Sequence, residues 1–317
     1  MAQISQQAKK FGYNSAVIDR WSRFFGEERV YKIIEAFEKP LRPAIRINTI
    51  RENNPEILIK ILRKKGFKLD RQADFPEFGY QILSAPSASI AATTEYLLGK
   101  IQPQSLSSQL PVVILNPQKE ETIGDFCASP GVKLSQMAQW MGNQGNTIGL
   151  EIANKRIQRL KSNLTRLGCS AIILRMDAKE APSLGIKFDR ILVDAPCTGS
   201  GVIRKDSTRK MMRSSEVRRL SRIQFDILKS AVECLKSQGE IMYCTCSLEL
   251  EENELVITKI LKKYPELSVR PLPRLYGLEK GLDNSIDPRI NPELHKTGRV
   301  YPDANSEGFF LALLYKE

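Results

Sequence analysis

The spacing of apolar positions changes repeatedly along this chain, and the changes mark its elements. From residue 121 onward, short apolar runs alternate with longer stretches of helical period. Residues 121–126, 147–151, 171–175 and 188–194 read as strands. Between them, residues 133–141 and 154–167 have helical spacing. In the second, Ile157, Leu160, Leu164 and Leu167 share one face and Gly168 ends the pattern. Residues 214–237 predict a long helix, 240–245 a strand, 250–263 a helix and 308–315 a closing apolar strand. Such alternation predicts an α/β fold, a mostly parallel sheet with helices on both faces. The last strand follows a strand-like segment at 267–270 with no long helix between them, which predicts an antiparallel edge.

The first third is patterned differently. Helical spacing covers residues 15–36 and 55–65, and short strand patterns fall at 44–48, 67–69 and 80–83. This predicts a small N-terminal α+β module. The polar stretch 101–110, which holds Pro103, reads as the boundary and divides the chain into residues 1–107 and 108–317. No internal repeat or low-complexity segment interrupts the pattern.

Composition narrows the class. A hydrophobic content of 42% over 317 residues supports a real core and argues against disorder. No run of 18 apolar residues occurs, so no membrane span is expected. The segment Met1-Ala-Gln-Ile-Ser-Gln-Gln7 has no apolar stretch behind a basic start, so a cytoplasmic location is expected. The six cysteines lie between Cys127 and Cys246 without framework spacing and are expected to be reduced.

The net charge of +12 favours a polyanionic partner. Half of that excess lies in residues 204–222, where Arg204, Lys205, Arg209, Lys210, Arg213, Arg218, Arg219 and Arg222 face only Asp206 and Glu216. The lone histidine, His295, sits in a loop-like stretch, which ranks Ser-His or Cys-His catalysis low.

Four motifs carry candidate chemistry, each where an apolar run gives way to small or polar residues. In an open parallel sheet such carboxyl ends of strands are where ligands bind. The first is Asp125-Phe126-Cys127-Ala128-Ser129-Pro130-Gly131-Val132-Lys133, a strand end turning tightly into a helix. It lacks the Gly-Lys-Ser/Thr ending of a phosphate loop and the three-glycine dinucleotide fingerprint. The second is Glu151, 26 residues after Asp125, at a spacing suited to an acid that accepts hydrogen bonds from ribose hydroxyls. Asp177, after the third strand, extends the series of strand-end acids, and the series suits the adenosine half of S-adenosyl-L-methionine.

The third motif is Ile191-Leu-Val-Asp194-Ala-Pro-Cys197-Thr-Gly-Ser-Gly201, which poises a carboxylate and a thiol over the crevice. The fourth is Tyr243-Cys244-Thr-Cys246-Ser247. Side chains alternate along a strand, so Cys244 and Cys246 share a face, with Cys246 nearer the crevice and Cys244 in the core. Free cysteines commonly behave as small buried hydrophobes, and Cys127, Cys169 and Cys234 read that way. Three clustered sulfurs without CxxC pairs or a second histidine make a weak zinc set, so no metal is expected.

Together these residues resemble the RNA 5-methylcytosine methyltransferases. The resemblance rests on Asp194-Ala-Pro-Cys197-Thr-Gly-Ser-Gly201 and Tyr243-Cys-Thr-Cys246-Ser-Leu-Glu-Leu-Glu-Glu-Asn253, with Cys127-Ala-Ser-Pro-Gly-Val-Lys133 as the cofactor loop. Arg46-Ile-Asn-Thr49, Gln104-Ser-Leu-Ser-Ser108 and Gly308-Phe-Phe310 are similar to further family segments. Two departures stand out: Val132 replaces a usual glycine, and Asp303 stands after Tyr301-Pro302 where a histidine is common. The compact length looks most like the tRNA-modifying members.

The resemblance implies a class I, Rossmann-like methyltransferase. Its sheet would be mostly parallel and seven-stranded with an antiparallel edge, behind an N-terminal RNA-binding module. It implies transfer of a methyl group from S-adenosyl-L-methionine to carbon 5 of cytosine in RNA. Residues 127–133 would line the methionine side of the cofactor, Glu151 the ribose, Asp177 the adenine and Arg156 the neighbouring wall. A thiolate adding to carbon 6 would activate carbon 5. Asp194 would act at N3, provided the apolar Ile191-Leu-Val193 strand raised its pKa. Residue chemistry leaves open which thiol attacks. DNA cytosine methyltransferases use a Pro-Cys thiol, whereas the resembled family assigns attack to Cys246 and product release to Cys197. The 204–222 segment, with Arg42, Arg46, Arg51, Arg63, Lys64 and Lys65, would hold the RNA backbone. Ribosomal RNA as substrate, duplex DNA as substrate, and a non-catalytic RNA-binding scaffold are the alternatives. Oligomeric state leaves no trace in the sequence.

Overall fold

The computed structural model describes residue 6 and residues 8–71, 75, 79–86 and 89–317; Met1 to Ser5 and Gln7 of the N-terminal segment lie outside them. Helix α1 (Ser15–Phe25) begins where Asn14 accepts the Ala16 amide, a capping arrangement typical of Asn. The single helix expected over 15–36 is broken at Gly26, whose φ of 78° is in the left-handed region. Helix α2 (Glu27–Phe37) then starts afresh. Trp21, Val30, Ile33, Ile34 and Phe37 of this pair pack with Ile203, Met212, Val217 and Leu248, residues that flank the two cysteine motifs.

The next segments form β1 (Ala44–Ile47), α3 (Pro55–Lys64), β2 (Lys68–Arg71), β3 (Gly79–Ser84), α4 (Thr94–Leu97) and β4 (Ile101–Pro103). Their strands make an antiparallel sheet of order β2-β3-β1-β4 around Ile45, Ile47, Leu58, Leu62, Phe67, Ile82 and Ile101. The stretch 101–110 is built rather than loose. It supplies β4 and the start of α5 (Leu106–Leu115), whose Leu106, Leu110, Val112 and Leu115 are buried against the main sheet. A polar sequence hid this because Gln102, Gln104, Ser107 and Gln109 are themselves buried and polar.

The remainder runs β5 (Thr122–Asp125), α6 (Val132–Trp140), β6 (Asn146–Leu150), α7 (Asn154–Leu167), β7 (Ile172–Leu174), β8 (Phe188–Asp194), α8 (Ser214–Cys234), β9 (Leu235–Thr245), α9 (Glu254–Lys263), β10 (Leu267–Arg270), β11 (Leu278–Lys280), β12 (Gly298–Val300) and β13 (Phe309–Lys316). The sheet order is β11-β12-β13-β9-β8-β5-β6-β7, with β10 also on β13. Strands β7, β6, β5, β8 and β9 are parallel, and β13 is antiparallel to β9 and to β10. The α/β class, the parallel centre and the antiparallel β10–β13 pair are as the pattern predicts. The sheet has nine strands rather than seven because β11 and β12, three residues each, are too short to show a period of two. Strand β9 also begins five residues earlier than the apolar run, crossing Gln238 at a φ of 62°.

The two sheets are fastened by buried polar groups. Asn48 donates to the carbonyls of Gly99 and Leu167, each at 2.8 Å, and Gln139 donates to the Ile47 carbonyl. Register then aligns the carboxyl ends of the central strands: Asp125 pairs Leu192, and Asp194 pairs Cys244.

Candidate active site

Two loops leave the carboxyl ends of β8 and β9 and meet. The Cys197 Sγ lies 3.3 Å from the Cys246 Sγ, both as free thiols. Backbone holds the loops together: the Gly201 amide donates to the Cys246 carbonyl and the Gly308 amide to the Gly201 carbonyl. A Cβ on Gly201 would stand 2.5 Å from the Gly308 carbonyl oxygen, so only glycine allows this approach. Cys244 is buried in the core, where its Sγ approaches Asp194 Oδ1 at 3.5 Å.

The thiols are not equivalent. A hydrogen bond with Cys246, then burial, holds the Cys197 thiol well above the ordinary range, and the nearby Glu252 adds to this. The same hydrogen bond lowers the Cys246 thiol, and Lys133 and Arg209 assist. Cys246 is the sulfur better placed to carry negative charge.

Asp194 sits beside them at the end of β8, with a cation as its partner. Lys133 Nζ donates to Asp194 Oδ2 at 2.6 Å, an ion pair with the lysine almost buried. Burial works against the Lys133 ammonium, but Asp194 and the thiols outweigh it and keep its pKa above the ordinary value. Burial raises the Asp125 carboxyl to about 7, with Asp194 reinforcing the effect. Asp125 Oδ1 accepts the Cys127 amide at 3.2 Å.

The loop 127–133 runs from β5 into α6, and Gly131 precedes the helix at a φ of 93°. A Cβ there would stand 2.7 Å from Leu160 Cδ1. Arg46, fully buried, donates to the Val132 carbonyl at 3.2 Å and to Ser135 Oγ at 2.9 Å, so Val132 in place of glycine leaves the loop anchored. A cleft of about 880 Å³ opens here, between Asp125, Cys127, Ala128, Ser129, Pro130, Val132, Lys133, Asp194 and Cys246 on one side and Pro40, Leu41 and Lys205 on the other. Glu151, 3% exposed at the end of β6, accepts the Ala153 amide and faces Arg156 at 3.3 Å. Arg156 also donates to the Ser129 carbonyl.

Known proteins resemble this chain in sequence and fold. A family model described as 16S rRNA methyltransferase RsmB/F matches residues 112–315. The chain is 34% identical to a tRNA (cytosine(49)-C(5))-methyltransferase of Pyrococcus abyssi, covering 96% of each. It is 35% identical to a human 28S rRNA (cytosine(4447)-C(5))-methyltransferase, over 96% of this chain and 38% of that protein. A solved methyltransferase homolog from Pyrococcus horikoshii superposes with a TM-score of 0.90 at 34% identity, covering 100% of both chains. The chain belongs to the RsmB/F family of RNA cytosine-C5 methyltransferases. It spans between about two fifths and a half of the length of eukaryotic rRNA methyltransferases that it matches.

Methyltransferases of this family depend on S-adenosyl-L-methionine, and the residues here suit that group. A small-residue loop lines a cleft within the usual volume of ligand pockets, and a buried carboxylate ends the next strand. Asp177 caps the turn Ala178–Leu184, pairs with Lys179 at 3.1 Å, and, like Gly131, Glu151, Arg156 and Cys197, is not among the residues that line the cleft. His295 is exposed and contacts the Pro292 carbonyl, away from the cleft. Asp303 accepts the amides of Asn305 and Ser306 and so shapes its own turn. Among the described residues no cluster suits a metal ion and no helix is long and apolar enough to cross a membrane.

The basic segment divides in two. Arg204 donates to the carbonyls of Ala36, Ser306 and Asp303, Lys205 pairs with Glu307, Arg209 holds the Thr198 carbonyl, and Lys210 pairs with Glu38. These four brace the fold around Cys197, whereas Arg213, Arg218, Arg219 and Arg222 are exposed at the start of α8. In the N-terminal module, Arg46 is buried, Arg51 donates to the Thr165 carbonyl, Arg63 to the Leu69 carbonyl, and Lys65 pairs with Glu95. Burial and hydrogen bonding thus remove Arg46 from the expected RNA-gripping set. Glu252 escapes a reading of the sequence, although it lies within the Cys246 motif, because a glutamate in an acidic run reads as solvated. Here it is buried between both cysteine loops.

Proposed function

We propose that this protein transfers the methyl group of S-adenosyl-L-methionine to carbon 5 of a cytosine in tRNA, in the cytoplasm. The observation that carries the reading is the pair of thiols 3.3 Å apart, beside the Lys133–Asp194 ion pair at the cleft. The bound cofactor supplies an electrophilic methyl group. Residues 127–133 hold its methionine side and Glu151 its ribose, with Arg156 beside that pocket and Asp177 by the adenine. Cys246 adds to carbon 6 of the base, forming a carbon–sulfur bond and making carbon 5 nucleophilic. Asp194 acts at N3, and the Lys133 ammonium hydrogen-bonded to it supplies the proton that N3 takes up. After methylation a base removes the proton from carbon 5, and the carbon–sulfur bond breaks to release Cys246, with Cys197 aiding this step. Residues 1–107 form the module that holds the surrounding RNA, and residues 108–317 carry out the transfer.

Support for tRNA comes from the Pyrococcus abyssi relative, matched over nearly its whole length. Ribosomal RNA is the second reading, favoured by the family model and the human 28S relative. Bisulfite sequencing of total RNA incubated with the protein and S-adenosyl-L-methionine separates them. New 5-methylcytosine confined to tRNA is expected; modification only of rRNA selects the second reading, and none overturns both.

A further inference from the structure

Glu252 has no place in the chemistry above, yet it is the most heavily bonded carboxylate beside the thiols. It lies in the short turn Leu250–Glu252 before α9 and is fully buried. Its Oε1 accepts the Thr198 amide at 3.0 Å and Gln224 Nε2 at 2.9 Å. Its Oε2 accepts the hydroxyls of Thr198 and Ser247. Thr198 follows Cys197 and Ser247 follows Cys246, so one carboxylate grips both cysteine loops one residue beyond each sulfur. Gln224 of α8 also donates to the carbonyl of Pro196, the residue before Cys197, at 2.8 Å. The Tyr243 hydroxyl fixes the Glu252 carbonyl at 2.6 Å, and Asn253 bonds both Thr245 Oγ1 and the Ser247 carbonyl.

We propose that Glu252 is a positioning residue that clamps the Cys197 and Cys246 loops together and fixes Cys197 as the hydrogen-bond donor to Cys246. Geometry gives the clamp; charge gives the direction. Cys197 is faced by Cys246 and Glu252, so negative charge surrounds it. Cys246 is faced by Cys197 and Asp194 but also by Lys133 and Arg209. Burial raises the Glu252 carboxyl, and its donors Ser247, Thr198 and Gln224 oppose that rise. Removing the charge while keeping the size therefore relieves Cys197 first. A burial cost for a structural carboxylate would be offset equally well by donors from anywhere; here every side-chain donor but Gln224 belongs to a residue adjacent to a thiol.

The inference rests on the cysteine pair serving as the reactive site, but its test does not use RNA. Site-resolved alkylation by iodoacetamide, read by mass spectrometry across pH 6–9, reports each thiol in the free protein. In the wild type Cys246 should react first. In Glu252→Gln, alkylation of Cys197 at fixed pH should rise about tenfold, since one neighbouring charge moves a pKa by roughly one unit or more. Thr198→Val keeps the charge and removes one donor, so it should raise Cys197 reactivity less and decides the question if Glu252→Gln fails to fold. Unchanged profiles for both thiols in folded variants overturn the proposal. Methylation surviving in Cys246→Ala would overturn the assigned nucleophile and leave the clamp standing.

Discussion

At Cys246 and Cys197 the two sulfurs share one hydrogen bond, and each substitution has its own signature. Cys246→Ala should abolish methylation, because no other thiol in the cleft is favoured as a thiolate. Cys197→Ala should leave addition intact and slow release, so that a covalent protein–RNA adduct accumulates on denaturing gels. An adduct from Cys246→Ala and none from Cys197→Ala would reverse the roles. Asp125 carries a separate prediction. Its carboxyl titrates near 4 when unfolded and at about 7 when folded, because burial disfavours the charged form. The folded state therefore binds the extra proton. Its contribution is fully present below pH 4 and is lost as pH rises through 7, by an amount on the order of a few kcal/mol. Asp125→Asn keeps an acceptor for the Cys127 amide and carries no charge. Urea midpoints of the cofactor-free protein should show the variant gaining on the wild type as pH rises from 4 to 8. Parallel curves would remove Asp125 as the source.

Among the elements, the strand–loop–helix unit from β5 to α6 is the most demanding. Gly131 combines a positive φ with a Cβ position 2.7 Å from Leu160, so Gly131→Ala should cost about 1–3 kcal/mol and lower the melting temperature. Glu151→Ala removes the acceptor of the Ala153 amide and so should cost about 1–3 kcal/mol of stability, and in the folded variant it should weaken S-adenosyl-L-methionine binding by isothermal titration calorimetry; unchanged affinity would exclude its ribose role. Elements of this kind were legible in sequence because each ends in a punctuating residue: Gly168 stops α7, and Asp194 and Cys246 follow clean apolar runs. Legibility failed where local pattern and burial disagree. Gly26 interrupts an unbroken helical period, the polar run at 101–110 is buried, and β11 and β12 owe their existence to pairing with β13 and each other. The site divides the same way. Its cysteines announced themselves by their neighbours in sequence, whereas the Lys133–Asp194 pair joins residues 61 positions apart, and no local signal marks such a contact.

For the whole molecule, the +12 charge is the feature whose meaning the fold alters most. Counted along the chain, residues 204–222 form one basic patch. Folded, their first half mostly braces the Cys197 loop against α2 and residues 303–307, and the arginines at the start of α8, with Lys205, stay exposed. Substitutions in the two halves should therefore fail in different ways. Arg204→Ala takes one donor from each of three backbone carbonyls, of which those of Ala36 and Ser306 keep an amide donor, and should cost about 1–3 kcal/mol of stability. The triple replacement of Arg218, Arg219 and Arg222 by Ala should leave melting unchanged and weaken tRNA binding at every sequence tested. Every phosphate that the protein no longer neutralises takes roughly 0.7–0.9 off the slope of log affinity against log salt. Fluorescence anisotropy over roughly 50–200 mM salt should thus show the triple variant's slope flatter by about 2–3. A slope equal to the wild type's would mean that the backbone runs elsewhere, and that the exposed half of the patch serves solubility alone.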